Sequence, residues 1–396
     1  MSRHLIGIMK NLTSLWLFCI VLLTGWHCRP VNEEEADTLN DEEAYFEDYL
    51  PVEEKWGFLD ETGQVVIPAQ FDQIGSFAEN LCPVNFAGKW GYIRHNGEWA
   101  IPPEYKGGWM FHEGLARVWN FDGKFVFIDS LNNLVFTAEY DEVNDLVHQR
   151  IRVVTKGVTG FLNRKGKEAI PPEFQGGSDF NRSGIAKVKS ENKYGLIDTL
   201  GVWILPAEFD WIGSIDGNYI ALRQSRSYSI FNSELNQILP GNFDQVAEPL
   251  AKVSAVQIAG NWALMDLESG KKAPVEGTLV QGLGHQRWSV FRDQKWYLMD
   301  STGQLLTDIG FRQINRYQDD RACCLQDELW GYLDTDGHLV IPPTYGLAWD
   351  FVNGFARVAD NKGIYFVRSD GSELFLPGWV DVRDFFESRC PVQMHK

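Results

Sequence analysis

The chain has 396 residues and a formal net charge of −18, which excludes a nucleic-acid ligand because the phosphates would be repelled. Hydrophobic residues make up 44 %, enough for a core, and 37 Gly with few long apolar helical runs lean toward strands and turns.

Two short segments precede the bulk of the chain. Leu12 to Trp26 reads "LTSLWLFCIVLLTGW", about 15 apolar-rich residues following Arg3 and Lys10. That is short for a membrane span, which needs about 20 residues. It fits the apolar region of an export signal, with Cys28 directly after it. From Met9 the stretch resembles a bacterial lipoprotein signal ending at its lipid-bearing cysteine. His27 and Gly25 stand where that family has a small residue and a Leu. The resemblance implies a signal over 1–28, lipidation of Cys28, and a location in the bacterial cell envelope, as an outer-membrane or surface lipoprotein or a secreted protein. Membrane contact is then expected only through this N-terminal anchor. Residues 29–55 hold eleven acidic and two basic side chains, a net −9 with few core formers, and read as a disordered acidic linker.

From Trp56 a period of 34 or 35 residues takes over. Its anchors are Trp56-Gly57, Trp90-Gly91, Phe125, Thr159-Gly160, Tyr194-Gly195, Tyr228, Trp262, Trp296, Trp330-Gly331 and Ile364. Seven residues past the anchor, seven of the ten copies have Gly, from Gly63 to Gly371. Fifteen past it, nine have an aromatic, from Phe71 to Trp379. Each copy closes on a run such as "GLARV" (114–118) or "GFARV" (354–358). A constant spacing with a decaying anchor marks a repeat array, and this one fills 56–396. It resembles the WG-repeat family, named for its Trp-Gly pair, over about 340 residues. Copies three, six and seven depart most and are expected to be bent or loosely packed.

Each copy reads as an all-β unit. "WGFLD" and "VVIPA" form a hairpin across Asp-x-x-Gly, with Asp60 or Asp334 bonding its own backbone and the Gly taking positive φ. The Pro pairs (Pro102-Pro103, Pro171-Pro172, Pro342-Pro343) are expected to end the second strand. "GLARV" supplies a third strand. The anchor Gly leaves room for something large against its backbone. The Trp anchors are expected in the core. Ten three-stranded β-meander units of about 34 residues stack either as an open β-solenoid or superhelix, or as a closed propeller-like ring. Propeller blades usually carry four strands and longer periods, which favours the open form.

Registers separate structural residues from candidate contacts. Nineteen past the anchor the copies are small or polar except at Trp109 and Trp349, and seventeen past it Trp211 stands among Gln, Gly and Glu. Tryptophans off the repeat pattern are candidates for ligand contact, although each can equally pack on a local loop. The anchors Trp56, Gly57, Trp90, Gly91, Tyr194, Gly195, Trp262, Trp296, Trp330 and Gly331 are accounted for structurally. The histidines, such as His112 and His338, are scattered without metal-ligand spacing, and no nucleophile motif or phosphate loop is present, so no catalytic residue, metal or cofactor is expected. Cys82 and Cys390 share a register, Cys323 and Cys324 are adjacent, and no structural disulfide is expected.

The expected function is that of a non-catalytic envelope scaffold presenting a β-repeat surface to a protein or peptide. Polysaccharide binding through the three tryptophans is an alternative. A carboxylate-dependent glycoside hydrolase is a more distant one.

Overall fold

The computed structural model describes residues 54–374 and 379–395; Cys28 and the expected linker over 29–55 lie outside them, except that Glu54 and Lys55 already belong to the strand Glu54–Leu59. The described residues hold strands and turns and no helix. They form ten antiparallel sheets, nine of four strands and one of three. Sheet one runs Gln73–Ile74, Cys82–Phe86, Lys89–Ile93, Trp99–Tyr105. Each later sheet repeats that order, so we number blades 1 to 9 along the chain: 73–105, 107–138, 142–174, 176–209, 211–243, 245–275, 279–299, 313–345 and 347–374.

Blade 10 joins the two ends of the array. Its strands are Trp379–Val382, Cys390–His395, Glu54–Leu59 and Val65–Phe71. Glu54–Leu59 pairs antiparallel with Cys390–His395, setting Trp56 opposite Gln393 and Gly57 opposite Val392. The array is therefore the closed ring and not the open solenoid. Each copy supplies two strands to one blade and two to the next, and this gives four per blade where three were expected.

The core confirms the closure. Ten apolar clusters lie between neighbouring blades, one for every junction. Leu81, Tyr92 and Ile101 of blade 1 pack on Phe111, Ala116 and Val118 of blade 2. At the seam, Trp56, Phe58 and Phe71 pack on Ile74, Phe77 and Val84. A blade alone would leave both faces wet, whereas in a ring each face is covered.

Strand pairing accounts for the repeat signature. The anchor aromatic sits opposite the aromatic fifteen residues on: Trp56 with Phe71, Trp90 with Tyr105, Tyr194 with Phe209, Trp330 with Tyr345. The turn between them is built as expected. Asp60 Oδ1 accepts the amides of Thr62 and Gln64, and Gly63 takes φ 85°. Asp334 does the same with Asp336 and His338.

Three expectations need correction. The Pro pairs do not end the strand: Trp99–Tyr105 runs straight through Pro102-Pro103. Proline is tolerated because this is the outermost strand, where the missing N–H faces no partner, and because the register breaks there in a bulge. The large object against the anchor Gly is that bulge. A Cβ on Gly91 would stand 2.6 Å from the Ile101 carbonyl and 2.8 Å from Pro103 N. Third, blade 7 loses its outer strand, and it belongs to copy eight, where Tyr297 replaces the anchor Gly. Copy six, expected to be bent, keeps the full outer strand Gln237–Phe243.

Candidate binding site

The first strand of each blade is a sheet edge, and one cavity is lined by residues in or just after the first strands of four consecutive blades, 6 to 9. Residues nineteen and twenty past the anchor sit there. The "GLARV" strand pairs with the first strand, and its middle residue faces the following blade.

That middle residue is a long cation in four blades. Arg117 Nε donates to Asp145 at 3.0 Å, Arg152 Nε to Asp179 at 2.8 Å, and Arg357 Nε to Asp384 at 2.8 Å. Lys187 Nζ reaches the Ile212 carbonyl at 3.0 Å. Each bond spans adjacent blades. The basic residue of "ARV" is visible in the sequence, but only the ring reveals that its partner lies in the next copy.

A second set of ties runs along the turns between the first and second strands. The Glu387 carboxylate accepts the Asn80 amide at 3.0 Å and lies 3.3 Å from His95 Nε2. Glu79 accepts the Gly114 amide at 2.9 Å, Glu113 the Gln149 amide at 3.0 Å, and Asp319 the Gly354 amide at 2.7 Å. The receiving turns hold positive φ at Asn80 and Gln149 as well as at Gly114 and Gly354. A carboxylate from the preceding blade thus satisfies the amide that the left-handed turn turns outward. Farther out, Lys55 hydrogen-bonds Asp72 and holds its carboxyl below the ordinary range, and Lys193 repeats this with Asp210.

The three off-register tryptophans are half-buried and lie in separate blades, 2, 5 and 9. Arg117 covers Trp109 at 4.2 Å, and Arg357 covers Trp349 at 4.9 Å. Tyr92 and Tyr332 each donate to the carbonyls of these tryptophans. Trp211 packs edge-on against Tyr228 at 6.2 Å. No ring contact joins any two of the three among the described residues. Of the anchors, Trp56 and Trp262 are buried, with Arg383 stacked on Trp56 at 4.5 Å. Trp90, Trp296, Trp330 and Tyr194 are half-buried, less enclosed than expected, because they stand beside the outer strand. Gly57, Gly195 and Gly331 share the tight approach of Gly91. Cys82, Cys323, Cys324 and Cys390 are buried free thiols.

Blades 5 to 8 differ from the rest. Where blades 2, 3, 4 and 9 place Arg or Lys in mid-strand, and blades 1 and 10 have Pro83 and Pro391, blades 5 to 8 have Ala221, Ala255, Ser289 and Cys323, all small and buried. A cavity of about 790 Å³ opens over this part of the ring, between blades 6 and 9. Its polar lining includes Gln281, Gln313, Asn315, Arg316 and Asp350. Asn315 Nδ2 donates to Asp350 at 3.2 Å, and Arg316 lies 3.9 Å from Glu248. Sequence reasoning missed this site, because its signal is four consecutive small residues at one register, and each alone passes for ordinary core.

Fold and rim together define a ten-bladed β-propeller with a polar inner cavity. The family model of the WG containing repeat matches five stretches of the chain, residues 56–90, 90–124, 160–194, 194–225 and 330–363. No curated protein matches the sequence. Among solved structures the chain is similar to a eukaryotic initiation factor, at TM-score 0.46 and 10 % identity over 65 % of this chain and 84 % of that one. It is also similar to BamB from Moraxella catarrhalis, at TM-score 0.36 and 12 % identity over 82 % and 97 %. Hsv2 from Kluyveromyces lactis follows at TM-score 0.29 and 9 % identity over 67 % and 95 %.

Proposed function

We propose that this propeller is a protein-binding scaffold of the bacterial cell envelope, with binding rather than catalysis as its role. The observation that carries the reading is the asymmetry of the inner surface. Blades 2, 3, 4 and 9 are latched to their neighbours by a long cation, while blades 5 to 8 drop it and leave a cavity lined by carboxamides, arginine and aspartate. A rigid ring with one open polar sector can hold a partner without ordering itself first, which lowers the entropic cost of association. Many rim carboxylates already serve turns and blade junctions, as Asp60, Glu113 and Glu387 do. The envelope location is supported by the export-like segment up to Cys28. Photo-crosslinking of the full chain in intact bacterial cells, read by mass spectrometry, tests the scaffold. A small set of recurring crosslinked proteins is expected. Their absence, together with cleavage of any member of a polysaccharide panel by the purified chain, would overturn it.

A polysaccharide ligand is the second reading, supported by the partial exposure of Trp109, Trp211 and Trp349. A shift of tryptophan fluorescence on adding glycans, lost when all three are replaced, would favour it.

A further inference from the structure

We infer that the cavity over blades 6 to 9 takes an extended peptide segment of a partner, which lies along the free edge of Leu279–Gly284 and places a carboxylate at Arg316. The inference rests on the protein-binding reading and names the site and the chemistry.

The first support is backbone. Leu279–Gly284 is a six-residue first strand, as are those of blades 2 and 3, against two residues in blade 8 (Gln313–Ile314) and blade 9 (Leu347–Ala348) beside the same cavity. It is an edge strand, paired on one side only with Arg287–Arg292. Alternate N–H and C=O groups therefore point away from the sheet, and the Leu283 carbonyl is the one already taken, by the Tyr317 amide at 2.7 Å. Val280 to Leu283 line the cavity. A free edge of this kind pairs with an extended peptide. The aromatic in the lining, Trp296, is tilted against Phe291 at 5.1 Å and packs into the core between blades 7 and 8, so it is not laid out as a stacking platform.

The second support is charge. The chain carries −18, yet the lining contains two arginines and a single carboxylate, Asp350, which already accepts from Asn315. Arg312 spends one N–H on the Asp327 carbonyl. The side chain of Arg316 is 61 % exposed, and Glu248, at 3.9 Å, is beyond hydrogen-bond distance. Its planar fork of N–H donors suits a carboxylate. The carboxamides Gln281 and Gln313 add donors and acceptors that match a peptide backbone.

The third support is an unpartnered hydroxyl beside the cavity lining. Ser289 stands where blades 2, 3 and 9 place arginine, opposite Gln281 across the strand pair, and its buried hydroxyl has no hydrogen-bond partner. Blades that keep the cation fill this space with their own side chain.

The test uses a phage-displayed library of random dodecapeptides selected on the immobilised full chain. Enriched peptides are then synthesised and titrated by fluorescence anisotropy against the wild type, Arg316→Glu, Gln313→Glu and the distant control Lys165→Glu, each checked for unaltered thermal unfolding. Enriched sequences sharing an Asp or Glu are expected, with affinity reduced at least tenfold in Arg316→Glu and Gln313→Glu and unchanged in Lys165→Glu. No enrichment, enriched peptides without an acidic residue, or equal affinity for wild type and both cavity variants would overturn the inference. So would binding of oligogalacturonate that Arg316→Glu abolishes while no peptide binds, since that assigns the carboxylate to a sugar. Partners crosslinked in cells as efficiently by Arg316→Glu as by the wild type would leave the scaffold standing and remove the cavity from it. Absence of partners with the wild type itself would instead strike at the scaffold.

Discussion

Glu387 and Asn80 are separated by 307 residues, yet the Glu387 carboxylate accepts the Asn80 amide at 3.0 Å. The same bond, from Glu79 to Gly114, joins blades 1 and 2. The seam of the ring therefore uses the device of an ordinary junction. Replacing Glu387 by Ala strands one turn amide and is expected to cost about 1–2 kcal/mol. Glu79→Ala should cost a similar amount. Urea unfolding at unchanged m-value reads both, and a seam variant that unfolds the ring outright would show that closure hangs on that single bond.

Gly91 is intolerant of a side chain. An added Cβ meets backbone atoms at 2.6 and 2.8 Å, and backbone in a bulge pinned by two prolines has little room to shift. Gly91→Ala is expected to destabilise by about 1–3 kcal/mol. Gly88, at φ 79° with nothing near it, accepts Asn with little loss. Thermal unfolding of the two variants separates crowding from conformational freedom.

The latch of Arg117 to Asp145 couples blades 2 and 3 while its guanidinium covers Trp109. Both side chains are largely screened from water, so the pair should exceed the value of a surface bridge. A double-mutant cycle of Arg117→Ala and Asp145→Ala is expected to give a coupling of about 1 kcal/mol. Arg117→Ala alone should also shift Trp109 fluorescence, and an unchanged spectrum would contradict the stacking.

Stability should fall at alkaline pH. Burial pushes the Cys324 thiol from its ordinary 9.0 up to about 12, and burial likewise raises Tyr105 and Tyr140 from 10.0 to about 12. Below pH 9 these groups are protonated in both states, and their contribution is fully present. Between about 9 and 12 the unfolded chain releases protons that the folded chain keeps, so unfolding gains. At the acid end the sign is reversed. The Thr62 hydroxyl and the Thr62 and Gln64 amides hold Asp60 below 3.8, so its contribution is present above that value and lost as pH falls through the folded one. Denaturant midpoints from pH 3 to 11 should form a plateau falling at both ends. Cys324→Ala should soften the alkaline fall, and an identical fall in that variant would dismiss the thiol as a cause.

Cys28, outside the described residues, is the expected lipid site. Labelled palmitate should enter the wild-type chain in bacterial cells and not Cys28→Ala. Equal labelling of both would remove the lipoprotein reading.

Much of the blade was legible along the chain. The Asp60 and Asp334 turns, the positive φ of Gly63, and the aromatic fifteen residues past each anchor all arise within about twenty residues of sequence. Closure was less so. The strands that complete blade 10 come from two distant stretches, Glu54–Leu59 and Cys390–His395, and only their pairing shows that they share a sheet. Each is an incomplete blade, and the two halves complete one another.

By itself, the sequence determined the period, the strands, the turns and the aromatic pairs, because those rest on local backbone preference and on residues that meet within one hairpin. Only the tertiary structure decided what lies between copies. The angle between successive blades sets whether ten of them close, and it emerges from the ten packed apolar junctions together. The same packing set Arg117 beside Asp145, put Arg117 over Trp109, and buried the Ser289 hydroxyl without a partner. Bonds between blades join residues about 30 positions apart, as Arg117 and Asp145 are, or more than 300 at the seam, as Asn80 and Glu387 are, and no local propensity encodes such distances.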